Sequence, residues 1–239
     1  MKGRARRGAT ALAVIAAACG LLGSGPAAAY DAVEVKNGGA IEGKVTLAGS
    51  PPPPKVVQVG QDAETCGKTQ EIREVEGKDG GLKNAVVRLV GITKGKKQDL
   101  PPATLDQKGC VFIPHVVLTA PGKLSALNSD PVSHNVHTDP GKNDPVNAIL
   151  SKLKRKASIS VEAPEIIPVK CDQHGWMSAY IVVAEHPYYA VTDDRGAFRL
   201  RDVPPGRYTL EAWHEKLGRV QQPLSVEAGK TAAVKLTYK

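Results

Sequence analysis

The segment Cys171-Asp172-Gln173-His174-Gly175-Trp176-Met177 sets a thiol, an imidazole and a thioether within seven residues. Met177 is the only methionine after Met1. A residue type used once, three positions after a histidine that is itself three positions after a cysteine, is poorly explained as core filler. The three side chains are donors of graded softness, and a tight loop can present them together because they lie one short step apart. Working outward, the next imidazole upstream in a comparable setting is His134, in Asp130-Pro131-Val132-Ser133-His134-Asn135-Val136-His137.

Cu(I) prefers sulfur and Cu(II) prefers nitrogen. A site that must hold both is met by two imidazoles and one thiolate in a plane, with a weak axial thioether. His134, Cys171, His174 and Met177 supply that donor set, three from one loop and one from elsewhere. Zinc fits less well, because a thioether is a poor zinc ligand. A C-x-x-H alone would be a weak signal. C-x-x-H-x-x-M with H-N-V-H about forty residues upstream, on a background of short Val/Ile/Thr runs, is a strong one.

The pattern resembles the cupredoxins of the amicyanin and plastocyanin type, over roughly residues 110–185. It is the short C-x-x-H-x-x-M loop and the H-N-V-H segment that carry the likeness. So does their approach: Phe112-Ile113-Pro114, the Pro121-Gly122 turn, and a strand ending in Asn128. The resemblance implies a Greek-key β-sandwich, one type 1 copper ion, and ligands at His134, Cys171, His174 and Met177. Asn135 would stand behind the ligands, tying the two loops together by hydrogen bonds near the sulfur. With Cys171 as a ligand, Cys66 and Cys110 remain as a pair, and the sequence does not decide whether they form a disulfide. Trp176 reads either as packing for the loop or as an aromatic surface beside the edge of His174. His137 is read as unliganded; His115, which opens a strand near the site, is read as an ordinary strand-end histidine, with a role as an extra copper ligand as the alternative. His186 and His214 read as structural.

A second resemblance lies downstream. Thr192-Asp193 through Phe198, followed by Val203-Pro204-Pro205-Gly206 and Tyr208, is similar to the carboxypeptidase regulatory-like family, which implies a transthyretin-type β-sandwich. That family's opening G-x-V and A-x-V-x-L elements appear far upstream, as Gly43-Lys44-Val45 and Ala85 to Leu89. The expected organisation is therefore nested: residues 30–95 and 188–239 form one split sandwich, with a cupredoxin sandwich at 96–187 inserted into it. The fold class is all-β, two sandwiches with one short helix.

Strand patterning supports this. Residues 40–47 alternate, with Ile41, Val45 and Leu47 on one face and Glu42, Lys44 and Thr46 on the other. Residues 84–90, 111–118, 124–128, 159–170 and 178–184 read as further strands, and Leu224–Val226 with Val234–Leu236 as a final hairpin around Gly229. Residues 61–81 are polar and Gly-rich, hence loop. Residues 144–156 break the pattern: Asp144 and Pro145 suit a helix start, and Val146, Ile149, Leu150 and Leu153 make one stripe. A short surface helix ending in basic residues is expected there.

The first residues are basic, an apolar run follows from Ala9 to Leu22, and Ala27-Ala28-Ala29 closes it. This reads as a secretory signal peptide over 1–29, cut before Tyr30, giving an exported, periplasmic protein. Lipid attachment at Cys19 is disfavoured by Ala16 where a leucine is expected. The apolar run is short for a membrane span, and no later stretch approaches the length required. The formal charge of +8 falls to +4 without Lys2, Arg4, Arg6 and Arg7, which gives no case for nucleic acid. No hydrolase elbow, phosphate loop or dinucleotide fingerprint is present, and a saturated copper site leaves no position for substrate. The expected function is one-electron transfer between redox partner proteins, not enzymatic catalysis. Copper carriage or storage is the alternative, disfavoured by a single mature methionine. An envelope binding module with a structural copper site is another.

Overall fold

The computed structural model describes residues 30–239; the secretory segment expected over 1–29, with Cys19, lies outside the described residues. The described chain is almost entirely β, as the patterning predicts. Its strands form two sandwiches.

One sandwich packs a four-stranded sheet on a three-stranded sheet. The larger sheet runs Tyr189–Val191, Val86–Val90, Gly206–His214, Gly218–Val226; the smaller runs Ala197–Val203, Gly39–Leu47, Thr231–Tyr238. The alternation read in 40–47 is realised at Ile41 and Val45, which are fully buried and face Leu82, Leu89, Leu200, Leu210 and Leu236, but it fails at the strand's end, where Thr46 is buried and Leu47 only half-buried. Each such aliphatic side chain contributes about 1.5–3 kcal/mol relative to exposure. Gly43 lies on the same face. A side chain there would strike the Val234 carbonyl and the Phe198 ring, so the glycine lets the aromatic lie against the backbone.

The second sandwich packs a four-stranded sheet on a five-stranded one. The first runs Lys156–Val161, Gly122–Asn128, Thr104–Gln107, Phe112–Ile113; the second runs Asn147–Leu150, His134–Thr138, Ile166–Lys170, Ser178–Val183, Val116–Thr119. Leu105, Phe112, Leu124, Val136, Ile159, Ile167 and Ile181 fill its core, and Cys66 reaches in to join them. The chain leaves the first sandwich after 86–90 and returns at 189–191, and these two strands are hydrogen-bonded neighbours, Arg88 opposite Tyr189. Where the sandwiches abut, Val86, Val116, Val182, Ala184 and Tyr189 make a small separate core.

Three local expectations are corrected. The helix expected at 144–156 is absent. Asn147–Leu150 is instead an edge strand paired antiparallel with His134–His137. The stripe that suggested a helix is not buried as one: Ile149 is 60% exposed and Leu153 98% exposed. The open edge of the His134 strand offers backbone hydrogen bonds that outweigh the local helical preference. The one helix among the described residues is the single turn Ala63–Cys66, inside the segment read as loop, followed by Thr69–Ile72 paired with Lys55–Gln58. Finally, Gly218–Val226 and Thr231–Tyr238 do not form a hairpin. The last strand crosses to the other sheet and pairs in parallel with 39–47, from Ala40 opposite Thr231 to Leu47 opposite Tyr238. Among the described residues no helix is long and apolar enough to cross a membrane.

Candidate metal centre

The strands His134–Thr138 and Ile166–Lys170 are antiparallel neighbours, with His137 opposite Lys170. Cys171 follows directly on the second strand, and the chain turns back into Ser178–Val183, Lys170 opposite Ser178. The turn between them closes on itself: Met177 N–H donates to the His174 carbonyl at 2.9 Å, and Cys171 N–H donates to the Met177 carbonyl at 3.2 Å. Backbone geometry thus brings a strand start and a loop to the same end of the five-stranded sheet.

There, His134 Nδ1 lies 2.9 Å from His174 Nδ1, and Cys171 Sγ lies 4.0 and 3.8 Å from the two nitrogens. All three residues are buried, and Cys171 is a free thiol. The point equidistant from these atoms lies about 2.1 Å from each, close to the ~2.0–2.1 Å of a bond from a borderline transition-metal ion to imidazole and a little under the ~2.3 Å to thiolate. Met177 is buried in the same core as Cys171.

The outer nitrogens fix the tautomers. His134 Nε2–H donates to Asp130 Oδ2 at 2.9 Å, and His174 Nε2–H donates to Asp62 Oδ2 at 3.0 Å. Both Nδ1 atoms are then left as lone pairs facing each other beside a thiol, an arrangement that a cation between them resolves. Asp130 also accepts the N–H groups of Gly109 and Cys110 at 2.7 and 2.8 Å. Burial pushes its carboxyl up, but those backbone donors and His134 outweigh burial and hold it below the usual range. Burial pushes the His134 imidazole below its ordinary value, against the pull of Asp130.

Asn135 joins the two ligand-bearing segments. Its Oδ1 accepts the Asp172 N–H at 2.7 Å, and its Nδ2 donates to Asp172 Oδ2 at 2.8 Å and to Asn147 Oδ1 at 2.7 Å. Asp172 also receives His137 Nδ1–H at 2.8 Å, which draws its carboxyl down to about 2. His137 is thus engaged beside the loop rather than inside it. Trp176 packs: its Nε1–H donates to the Cys110 carbonyl at 2.9 Å, and its ring lies 5.1 Å from that of His174.

The remaining histidines lie apart from the triangle. His115 contacts Glu215 Oε1 at 2.7 Å and the Ser178 carbonyl at 3.1 Å, joining the two sandwiches. His186 Nε2–H donates to the Leu89 carbonyl, and buried His214 accepts the Lys216 N–H. Cys110, Asp130 and His134 also converge, but Cys110 is bonded to Cys66, so its sulfur is no thiolate donor. Sequence reasoning missed Asp130 and Asp62. Asp130 stands four residues before His134 and had a local signal; Asp62 is 112 residues from His174 and had none.

Among solved structures, the chain is similar to a purple cupredoxin from Nitrosopumilus maritimus, at 16% identity over 34% of this chain and 99% of that one, with a TM-score of 0.30. It is similar also to a reduced Cu(I) amicyanin variant at pH 4, at 16% identity over 37% and 87%, with a TM-score of 0.32. An oxidised amicyanin variant gives 18% identity over 35% and 82%, with a TM-score of 0.32. No curated protein matches the chain. Residues 176–239 match the family model described as carboxypeptidase regulatory-like domain, a span that starts inside the donor loop and takes in the Ser178–Val183 strand. Over those residues the chain is similar to that family.

Proposed function

We propose that this chain is an exported, periplasmic type 1 copper protein that passes single electrons between redox partner proteins and catalyses no reaction of its own. The observation that carries this reading is the triangle of His134 Nδ1, His174 Nδ1 and Cys171 Sγ, with both outer imidazole nitrogens committed to carboxylates. His134, Cys171, His174 and Met177 would hold the copper ion. A copper ion so held would supply one-electron exchange between Cu(I) and Cu(II).

The chain's own residues do the rest. Asp130 and Asp62 orient the two rings. Asn135 and Asp172 lock the loop to the neighbouring strand, so the donors move little between oxidation states. Burial of all three donors excludes water and substrate alike, which is why we read a carrier and not an enzyme. In this reading residues 96–187 are a cupredoxin-type unit inserted into a sandwich built from 30–95 and 188–239, and 1–29 is the signal that exports it.

The test is spectroscopic. The copper-loaded protein should show an intense visible thiolate-to-copper band, and Cys171→Ser should abolish it. A colourless Cu(II) form, or a band that survives Cys171→Ser, overturns the proposal.

A further inference from the structure

One edge of the centre is closed from outside by a segment far away in sequence. His174 has no solvent-exposed side-chain surface, because Asp62 Oδ2 and Cys66 Sγ lie 3.0 and 4.0 Å from its Nε2. This cover is held at several points. Asp62 adopts a left-handed backbone, φ 57°, and its carbonyl accepts the N–H groups of Thr65 and Cys66 at 2.9 and 2.8 Å. Gln61 Nε2 donates to the Gln173 carbonyl at 2.8 Å, tying the turn to the donor loop. The Cys66–Cys110 disulfide then ties it to the segment that Asp130 grips through the Cys110 N–H. Gln61, Glu64 and the turn's outer face are exposed, so the cover is one layer thick.

We propose that Asp62 is a positioning residue of this centre, and that the disulfide-pinned turn 62–66 shuts the His174 edge to small solutes. The inference rests on the copper reading for its electronic part and on the covered imidazole alone for its steric part. The Asp62 carboxylate holds the His174 ring with Nδ1 toward Cys171 and places a negative charge at the ring's outer nitrogen. That charge favours the more highly charged oxidation state of an ion at Nδ1. The turn removes the imidazole edge as a point of contact, so reagents that exchange electrons by touching that edge meet the 62–66 turn instead.

Two measurements test this. In copper-loaded protein, Asp62→Asn keeps the shape and removes the charge. It should raise the reduction potential by about 59 mV, a tenfold shift toward Cu(I), while Asp62→Glu restores most of the wild-type value. An unchanged potential in Asp62→Asn overturns Asp62's role. In metal-free protein, diethyl pyrocarbonate labelling read by peptide mapping should modify His174 at least tenfold faster in the Cys66→Ser/Cys110→Ser and Asp62→Ala variants than in wild type. His186 and His214, buried in the other sandwich, should stay protected throughout, which separates opening of the cover from unfolding. Equal labelling of His174 in wild type and variants overturns the cover. Loss of the visible band in wild type would sink the copper reading, and the metal-free arm would still decide the cover.

Discussion

At the scale of single residues, the fold leans on carboxylates that gather backbone donors. Glu165 accepts the N–H groups of Gly141, Lys142 and Asn143 at 2.8–2.9 Å, and so fastens the 141–143 turn. Partial burial raises its carboxyl, but these donors, with the Asn143 side chain, outweigh burial and hold it low. A depressed carboxylate means that the unfolded chain binds the proton more readily than the folded one. Its stabilisation is therefore complete above the ordinary glutamate value of about 4.3 and fades as pH falls through the lower folded value. Glu165→Gln should flatten the acid limb of a stability-versus-pH curve measured by urea unfolding, and a limb of unchanged slope would contradict this. Asp172 plays a similar part at the donor loop, gathering side-chain donors from Asn135, His137 and Asn147. The convergence of His134, Cys171 and His174 was legible in the sequence because two of them share one loop and the third stands in a recognisable tetrapeptide. Asp62 was not legible, because nothing in its neighbours, Gln61 and Ala63, points to a partner more than a hundred residues away.

At the scale of elements, strands whose alternation matched a buried face could be read directly, as in 39–47, where Ile41 and Val45 fell inward. Elements decided by an unpaired edge could not. The 147–150 strand carries a helical stripe, and only the exposed backbone of the His134 strand converts it to β. The parallel partner of 39–47 was likewise invisible, since a hairpin around Gly229 satisfied local patterning just as well. Gly43 tests the smaller sheet. Gly43→Val forces a side chain into the space held by the Phe198 ring and the Val234 backbone, and should cost about 1–3 kcal/mol in chemical denaturation. A stability within a few tenths of the wild type would mean that the strand can shift to make room.

At the scale of the molecule, two cores are joined by a thin third one, and they should answer separately to damage. Leu236 is buried in the core away from the donor triangle. Leu236→Ala should remove about 2–5 kcal/mol from that sandwich. Amide hydrogen exchange should then quicken in Gly39–Leu47 and Gly206–His214 while His134–Thr138 and Ser178–Val183 keep their protection, and the copper spectrum should not change. Equal loss of protection in both would show one cooperative unit. The sheet register carries a further implication, for the order in which the chain can mature. Strand 39–47 has a partner some 190 positions away, Thr46 against Leu236 and Thr237. The groups that face the donor triangle all fall between residues 62 and 177. During synthesis strand 39–47 must therefore wait, half-paired, until residues 231–238 are made, whereas the sandwich that carries the donor triangle has its last strand, Ser178–Val183, in hand about fifty residues sooner.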